Sequence, residues 1–234
     1  MSSLDPVATF RAALLRSAAM DRPFAVTVED LHCKVRQRQQ QALIVFLVDA
    51  SESMASGAEI RVKAARGAVL GLLAGAYQRR DQVALVVFRG ERAEVLLHPT
   101  SSVELARQRL RRLPIGGATP FADGLQQAHQ LIDNSRRRQA GLMPTLVIVT
   151  DGEANVPLRP GSALLPELDA VATELSRLPL STIIVDTSSA IGGSRTLQRL
   201  AGILGGSYQR IHDLHAGRLY EIIRKAADVS PSGV

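Results

Sequence analysis

Apolar residues recur along the chain in two different spacings. Short continuous apolar runs, typical of strands covered on both faces of a parallel sheet, alternate with stretches in which apolar residues return at helical spacing. The strand-like runs lie near 42–48, 82–88, 145–150 and 181–186, with shorter strand patterns at 93–97 and, as an edge strand, 206–211. The helical patterns lie near 59–78, 101–112, 120–139, 164–177, 194–204 and 215–228. This alternation predicts an α/β fold with a doubly wound, mostly parallel sheet flanked by helices.

The N-terminal part of the chain follows a different pattern. Asp5-Pro6 is a helix-start signal, and residues 7–19 have the spacing of an amphipathic helix. Short extended segments are predicted at 24–28 and 31–35, before the first long apolar run. We therefore predict an N-terminal arm, a helix plus short strands, over residues 1–40 and a separate α/β domain over residues 41–230.

Oxygen-bearing side chains follow two of the predicted strands. Asp49, Ser51 and Ser53 come directly after the run 42–48, and Asp151 directly follows the run 145–150. Thr119 stands in the loop sequence Gly-Gly-Ala-Thr-Pro. Ligands of open α/β sheets bind beyond the carboxyl ends of the strands, and alternate residues of an extended segment point the same way. Carboxylates and hydroxyls are hard ligands that suit Mg²⁺ or Mn²⁺, so the sequence predicts a metal site here.

A purely structural interpretation of the same residues is that Ser51 and Ser53 cap the following helix and that the aspartates are turn residues. Capping is compatible with metal binding. In a metal site, three hydroxyls would neutralise little of the charge of a dication, so the metal would keep an open position that attracts an outside carboxylate. The pattern favours binding over hydrolysis, because no obvious general base lies nearby beyond the ligands themselves, although Glu52 has to be considered.

Composition narrows the class of protein. The chain has 234 residues, 46% of them hydrophobic, which is enough for one sizeable core. No apolar stretch reaches the roughly 18 residues that a membrane span needs, and the N-terminus lacks a signal-peptide pattern. The single cysteine, Cys33, cannot form an internal disulfide. Together these features predict a cytoplasmic location without a membrane span.

The net charge is +6, and the basic residues cluster, especially within 107–112 and 136–138. Two interpretations are nucleic-acid binding and a basic surface that steers an acidic protein partner. Aromatic residues are only 3% of the chain and no RNA-binding motif accompanies the charge, so protein docking is favoured over nucleic acid. The chain also lacks the phosphate-binding motif G-x-x-x-x-G-K-[ST] and the nucleophile motif G-x-S-x-G.

The order D-x-S-x-S, G-G-x-T-P and T-D-G resembles the von Willebrand factor A domain and its metal-ion-dependent adhesion site. A closer resemblance is to the C-terminal domain of the magnesium chelatase D subunit and similar domains of cobalt chelatase. The residues that carry it lie at 22–31, 45–51, 63–69, 79–85, 88–94, 113–120, 150–155 and 185–188. Phe88-Arg-Gly-Glu and Thr150-Asp-Gly-Glu-Ala-Asn are the more specific of these, because metal binding alone does not demand them.

The resemblance implies an accessory subunit of an ATP-dependent machine that inserts a divalent metal into a tetrapyrrole. An AAA-type ATPase module and a porphyrin-binding subunit would supply the rest, and this domain would dock a partner that offers an Asp or Glu to the bound Mg²⁺ or Mn²⁺. The resemblance covers one domain of the family protein, without its ATPase-like module or acidic linker. Two alternatives are an adapter for another AAA-type ATPase and an independent metal-dependent hydrolase.

One residue departs from the family pattern. The family usually has Gly between the two serines, where this chain has Glu52. The Glu52 carboxylate could fill the open metal position, repel a partner's carboxylate or face solvent. The identity of the inserted metal, the tetrapyrrole and the oligomeric state have no signal in the sequence.

Overall fold

The computed structural model describes residues 3–34, 42–51, 57–75, 81–111, 115–139, 141–211 and 214–229. The chain forms two compact units, residues 1–39 and 40–234, and each is described here by itself. The predicted division of the chain at residue 40 falls outside the described residues and stays a prediction.

The N-terminal unit is a helix closed by a short strand pair. Strand β1 (Ser3–Leu4) pairs antiparallel with β2 (Cys33–Lys34), and helix α1 (Pro6–Ala19) lies between them in sequence. The Asp5 carboxylate accepts a hydrogen bond from the Ala8 N–H at 3.1 Å and caps the helix. The helix was predicted from its start signal, and β2 lies within the predicted extended segment 31–35, whereas β1 is too short for any periodicity to show.

A partly buried ion pair holds this unit together. The Arg16 Nε lies 3.0 Å from Asp30 Oδ1, and the Thr27 N–H and hydroxyl both donate to Asp30 Oδ2 at 2.8 Å. The Arg16 guanidinium and the Thr27 donors hold the pKa of Asp30 well below its usual range.

Within the described residues of the second unit, six strands form one sheet in the order β5-β4-β3-β6-β7-β8. Neighbouring strands are parallel except β5, which is antiparallel to β4. The strands are β3 (Ala42–Asp49), β4 (Gln82–Arg89), β5 (Arg92–Thr100), β6 (Met143–Thr150), β7 (Ser181–Asp186) and β8 (Ser207–Arg210). The predicted mostly parallel sheet is confirmed, and β5 extends beyond the predicted 93–97.

Helices cover both faces of this sheet. They are α2 (Gly57–Gly75), α3 (Val103–Leu110), α4 (Phe121–Arg138), α5 (Leu164–Ser176), α6 (Arg195–Leu204) and α7 (Ala216–Val229). Helices α2, α3 and α7 share one buried cluster with the sheet, and α4, α5 and α6 share the other. In β3, Phe46 packs into the first cluster and Leu47 into the second. Burial on both faces is the reason why the apolar runs are continuous. Among the described residues, no helix is both long and apolar enough to cross a membrane.

The strand register brings several polar residues to one edge of the sheet. Asp49 is level with Phe88 of β4, and Thr150 of β6 is level with Asp186 of β7. We call this the carboxyl edge, because five parallel strands end there. Helix α4 starts beside it, and its 18 residues span about 27 Å to the opposite edge, where β6 begins.

The same topology separates the two basic runs. Residues 107–111 belong to α3 and the turn after it, on the path that returns to the carboxyl edge, whereas 136–138 end α4 at the opposite edge. The role of both runs as a surface for an acidic partner stays a prediction, and the two runs lie toward different edges of the sheet.

Candidate metal centre

Asp49 ends β3 and is fully buried. Its Oδ1 accepts hydrogen bonds from the Ser51 N–H at 2.9 Å and the Ser51 hydroxyl at 2.5 Å. Its Oδ2 accepts from the Thr150 hydroxyl at 2.8 Å. Thr150 in turn accepts from the Gly152 N–H at 3.1 Å. The ends of β3 and β6 are thereby joined through one carboxylate, and Ser51 is held beside Asp49 with 1% of its surface exposed.

Thr119 reaches the same edge from the loop before α4. The Gly116 N–H donates to the Ala50 carbonyl at 2.8 Å, which fixes this loop to the Asp49 segment. Asn155 fixes it on the other side: its side-chain Oδ1 accepts from the Thr119 N–H at 2.5 Å, and its own N–H donates to the Thr119 carbonyl at 3.2 Å. Thr119 is buried. Hydrogen bonds to two other segments therefore position it.

Steric constraints explain why a glycine is required at position 117, in the loop before Thr119. Gly117 has φ of +90°, and a Cβ there would lie 2.9 Å from the Gly90 Cα of the β4–β5 turn. Only glycine combines this backbone conformation with such a close approach of two chains. The G-G-x-T-P sequence thus serves the packing of the loop on the neighbouring turn.

Asp151 begins the loop after β6 and is more accessible, with 12% of its side chain exposed. Its Oδ1 accepts from the Glu153 N–H at 3.1 Å. Its Oδ2 lies 3.1 Å from Nη1 of Arg61, which comes from helix α2. The carboxylate is therefore only partly exposed to solvent and is directed toward Arg61.

Arg61 lies between the two carboxylates. Its Nε donates to the Asp49 carbonyl at 3.2 Å, its Nη2 lies 3.7 Å from Asp49 Oδ2, and its Nη1 binds Asp151. Only 2% of the arginine side chain is exposed. A single guanidinium thus contacts two aspartates, one at the end of β3 and one just after β6.

The electrostatics of Asp49 reflect its depth. Burial raises the pKa of its carboxyl, and the nearby Asp151 charge adds to this, although Arg61 and the Ser51 hydrogen bonds act in the opposite direction. The net direction is upward, so the negative charge of Asp49 is only partly compensated. An additional cation at this edge would be stabilised.

Four of the five predicted ligands, Asp49, Ser51, Thr119 and Asp151, are brought to the carboxyl edge. Ser53 lies outside the described residues, as does Glu52. The role of the five predicted residues as metal ligands stays a prediction. Among the described residues, no group of three or more His, Cys, Asp or Glu side chains could hold a metal, so a cation at this edge would depend on the hydroxyls.

Sequence reasoning assigned no role to three residues that organise this edge: Arg61, Thr150 and Asn155. A signal for Arg61 was available, because it stands in the buried helical stripe of α2 with Val62 and Ala65. An arginine in an apolar stripe must find buried carboxylates or carbonyls. Thr150 and Asn155 lie within the motif around Asp151 but had no spacing that indicates a partner.

Comparison with known proteins places the chain in a family. Residues 44–153 match the family model of the von Willebrand factor type A domain. The chain is 37% identical over 210 residues to the magnesium-chelatase 67 kDa subunit of Heliobacterium mobile, a match that covers 87% of this chain. It is 33% identical over 239 residues to the magnesium-chelatase 60 kDa subunit of Rhodobacter capsulatus, covering 97% of this chain. The matches span 31% and 41% of the lengths of these two subunits.

A shorter relative matches over almost its whole length. An uncharacterised protein of Methanocaldococcus jannaschii is 30% identical over 172 residues, which cover 72% of this chain and 96% of that protein.

Solved structures share the fold. The vWF domain of the pili tip protein Mfa5 from Porphyromonas gingivalis has a TM-score of 0.58 at 13% identity, covering 83% of this chain and 98% of that one. The manganese-loaded TRAP protein of Plasmodium vivax has a TM-score of 0.56 at 17% identity, covering 79% and 72%. The chain therefore belongs to the von Willebrand factor type A domain family, and its relatives include the 60 and 67 kDa subunits of magnesium chelatases.

Proposed function

We propose that this chain is a metal-dependent protein-docking domain of a tetrapyrrole metal chelatase and that it performs no chemistry alone. The observation that carries the proposal is the convergence of oxygen donors from three separate segments at the carboxyl edge. Hydrogen bonds link the segments in pairs: Asp49 to Thr150, Gly116 to Ala50, and Asn155 to Thr119. Such a framework orients donors before any ligand arrives, which is what a binding site requires.

The donor set fits a small hard cation. Asp49, Ser51, Thr119 and Asp151 would hold Mg²⁺ or Mn²⁺ together with Ser53, and all of their ligating atoms would be oxygens. The first three of these side chains are buried, and the Asp49 charge is only partly compensated. When bound, the metal would supply a Lewis-acidic position to which a partner's Asp or Glu carboxylate can coordinate.

The chelatase assignment rests on the relatives rather than on the metal donors. The likeness to the magnesium-chelatase 67 kDa subunit extends over 87% of this chain, well beyond the segments that carry the donors. Because the match covers 31% of that subunit, the ATP-dependent insertion of a metal into a tetrapyrrole is proposed for an assembly of which this chain would be one part. The partner we propose is an AAA-type ATPase subunit of that assembly. The manganese-loaded neighbour supports the fold alone at 17% identity.

Charge would assist the encounter. Arg107, Arg109 and Arg111 lie on α3 and the turn after it, on the path that leads back to the carboxyl edge. They would attract an acidic surface that surrounds the coordinating carboxylate, so association should slow as salt rises.

The test is the affinity for the candidate AAA-type ATPase subunit, measured by calorimetry with Mg²⁺, with EDTA and with Asp49→Ala. Binding should require both the metal and Asp49, and the isolated chain should hydrolyse no ATP. Asp133→Ala is a matched control, because Asp133 lies on α4 toward the opposite edge and pairs with Arg137. Equal affinity under all conditions would show that the docking point lies elsewhere.

The shorter archaeal relative favours one alternative. Its almost complete match shows that the conserved region can make up nearly a whole protein. A free-standing domain of this kind could serve as an adapter for an AAA-type ATPase outside tetrapyrrole chemistry. Affinity capture from a native extract would separate the two: recovery of such an ATPase without any chelatase subunit would favour the adapter.

A further inference from the structure

Arg61 is an unusual residue for the interior of this domain. It stands in the buried stripe of α2, where its neighbours Val62, Ala65 and Val69 pack against the sheet. A buried guanidinium is costly unless carboxylates and carbonyls surround it, and here it has the Asp49 carbonyl and the Asp49 and Asp151 carboxylates. Its position is therefore set by the two aspartates that are candidate metal ligands.

Arg61 and a metal would bind the same carboxylates. The guanidinium contacts both Asp49 and Asp151. A dication held by these two carboxylates would therefore stand within a few ångströms of the guanidinium. Like charges at such a distance repel strongly in a buried, poorly solvated place. Arg61 and a bound metal therefore stabilise the same two aspartates at each other's expense.

We propose that Arg61 is a built-in counter-cation that competes with the metal for the Asp49–Asp151 pair. This inference rests on the metal site of the proposed function. In the absence of metal, Arg61 keeps the two carboxylates together and the ends of β3 and β6 in place. On metal binding, the contact between Arg61 Nη1 and Asp151 is the one that loosens, because Asp151 is the more exposed partner.

Helix α2 packs closely on α7 near this point. Gly67 lies nearly two turns further along α2, and a side chain at this position would collide with Ala216 of α7. We therefore expect the Arg61 side chain to move rather than the whole helix.

The experiment compares metal alone, Mn²⁺ and Mg²⁺, with the full chain and with Arg61→Gln. We expect the dissociation constant of the metal to decrease by about tenfold or more in Arg61→Gln, since an uncharged side chain no longer repels the ion. The metal-free melting temperature should fall, because two buried carboxylates lose their cation. The gain in melting temperature on adding metal should become larger.

Two further variants control the comparison. Arg66→Gln makes the same change at an exposed position of the same helix and should alter neither quantity. Arg61→Lys keeps a charge but cannot span both carboxylates, so its metal affinity should lie between those of the other two proteins. Arg61→Lys also allows the metal affinities to be compared if Arg61→Gln does not fold without metal.

The outcomes separate the two proposals. Measurable binding to the unmodified chain, with equal or weaker binding to folded Arg61→Gln or Arg61→Lys, would overturn the competition and leave the metal site standing. Absence of binding to every one of these proteins would overturn the metal site itself, and the competition with it. Binding to Arg61→Gln alone would support the competition but contradict metal-dependent docking by the unmodified chain.

Discussion

Two buried aspartates end strands at the carboxyl edge of the sheet, and they have opposite electrostatic properties. Asp49 ends β3 and Asp186 ends β7, with β6 between them, and neither is exposed to solvent. Asp186 accepts hydrogen bonds from the Ser188 and Ser194 N–H groups, both at 2.7 Å, and from the Tyr208 hydroxyl. Its three donors come from the loop after its own strand and from β8.

The pKa values of the two carboxyls differ in direction. Burial alone would raise the pKa of Asp186, but the Ser194, Tyr208 and Ser188 hydrogen bonds outweigh it and hold the pKa below its usual range. For Asp49, burial prevails and the pKa is raised, despite Arg61 and the Ser51 donors. Asp49 also accepts three hydrogen bonds, so their number does not distinguish the two. Depth and the second carboxylate, Asp151, raise the pKa of Asp49, whereas the hydrogen bonds of Asp186 lower the pKa of that carboxyl.

The largest expected effect on stability comes from Asp186→Asn, which is compared with the same substitution at Asp49. Asp186→Asn turns one acceptor oxygen into an N–H donor that faces other donors, and the loop after β7 loses its anchor. We expect the free energy of unfolding to fall by roughly 2–4 kcal/mol, the cost of buried donors left without acceptors. Urea denaturation with and without Mg²⁺ should show that the metal response is unchanged.

Asp49→Asn should give the opposite result. The amide keeps an acceptor oxygen for Ser51, and the Thr150 hydroxyl, unlike the N–H groups around Asp186, can turn to accept from the new N–H. The change also removes a partly compensated buried charge, so stability in EDTA should change by less than about 1 kcal/mol. The stabilisation by Mg²⁺ should disappear, because an amide is a weaker ligand than a carboxylate for this ion. If Asp186→Asn abolished the metal response and Asp49→Asn retained it, the distinction between the two aspartates would be wrong.

This contrast also shows which parts of the molecule the sequence could predict. The apolar runs predicted the sheet, and the position of Asp49 and Asp151 after two of these runs predicted that their segments meet at one edge. The motif D-x-S-x-S selected Asp49 as a candidate ligand, but the sequence did not show that the pKa values of Asp49 and Asp186 shift in opposite directions, since both follow an apolar run. The difference depends on contacts between distant residues: Arg61 with Asp49 and Asp151, and Tyr208 with Asp186.

An intermediate effect, on metal affinity, is expected at Asn155. This side chain positions Thr119 by a hydrogen bond, just as the N–H groups of the loop after β7 position Asp186. Asn155→Ala removes the acceptor of the Thr119 N–H but leaves the main-chain bond to the Thr119 carbonyl. Loss of a supporting contact of this kind typically weakens metal affinity 10- to 100-fold, and we expect about tenfold because half of the clamp remains. Calorimetric titration with Mn²⁺ measures it.

The control for this variant is Asn134→Ala, an exposed asparagine on α4. It should leave the titration unchanged. An Asn155→Ala protein that is folded and binds Mn²⁺ as tightly as the unmodified chain would show that Thr119 needs no clamp or is not a ligand.

The smallest effect is a difference in pH dependence, measured in EDTA. The lowered pKa of Asp186 means that the unfolded chain takes up a proton at higher pH than the folded chain does. Asp186 therefore contributes stability above about pH 4, and the contribution is lost as the pH falls through its folded pKa. The stability deficit of Asp186→Asn relative to the unmodified chain should accordingly shrink as the pH is lowered from 7 toward 3.

The raised pKa of Asp49 has the opposite effect on stability, because the folded chain takes up the proton first and gains stability as the pH falls. The unmodified chain should thus become more stable relative to Asp49→Asn over the same range. Urea midpoints of the three proteins at a series of pH values measure both trends, and parallel curves for the two variants would show that the aspartates do not differ.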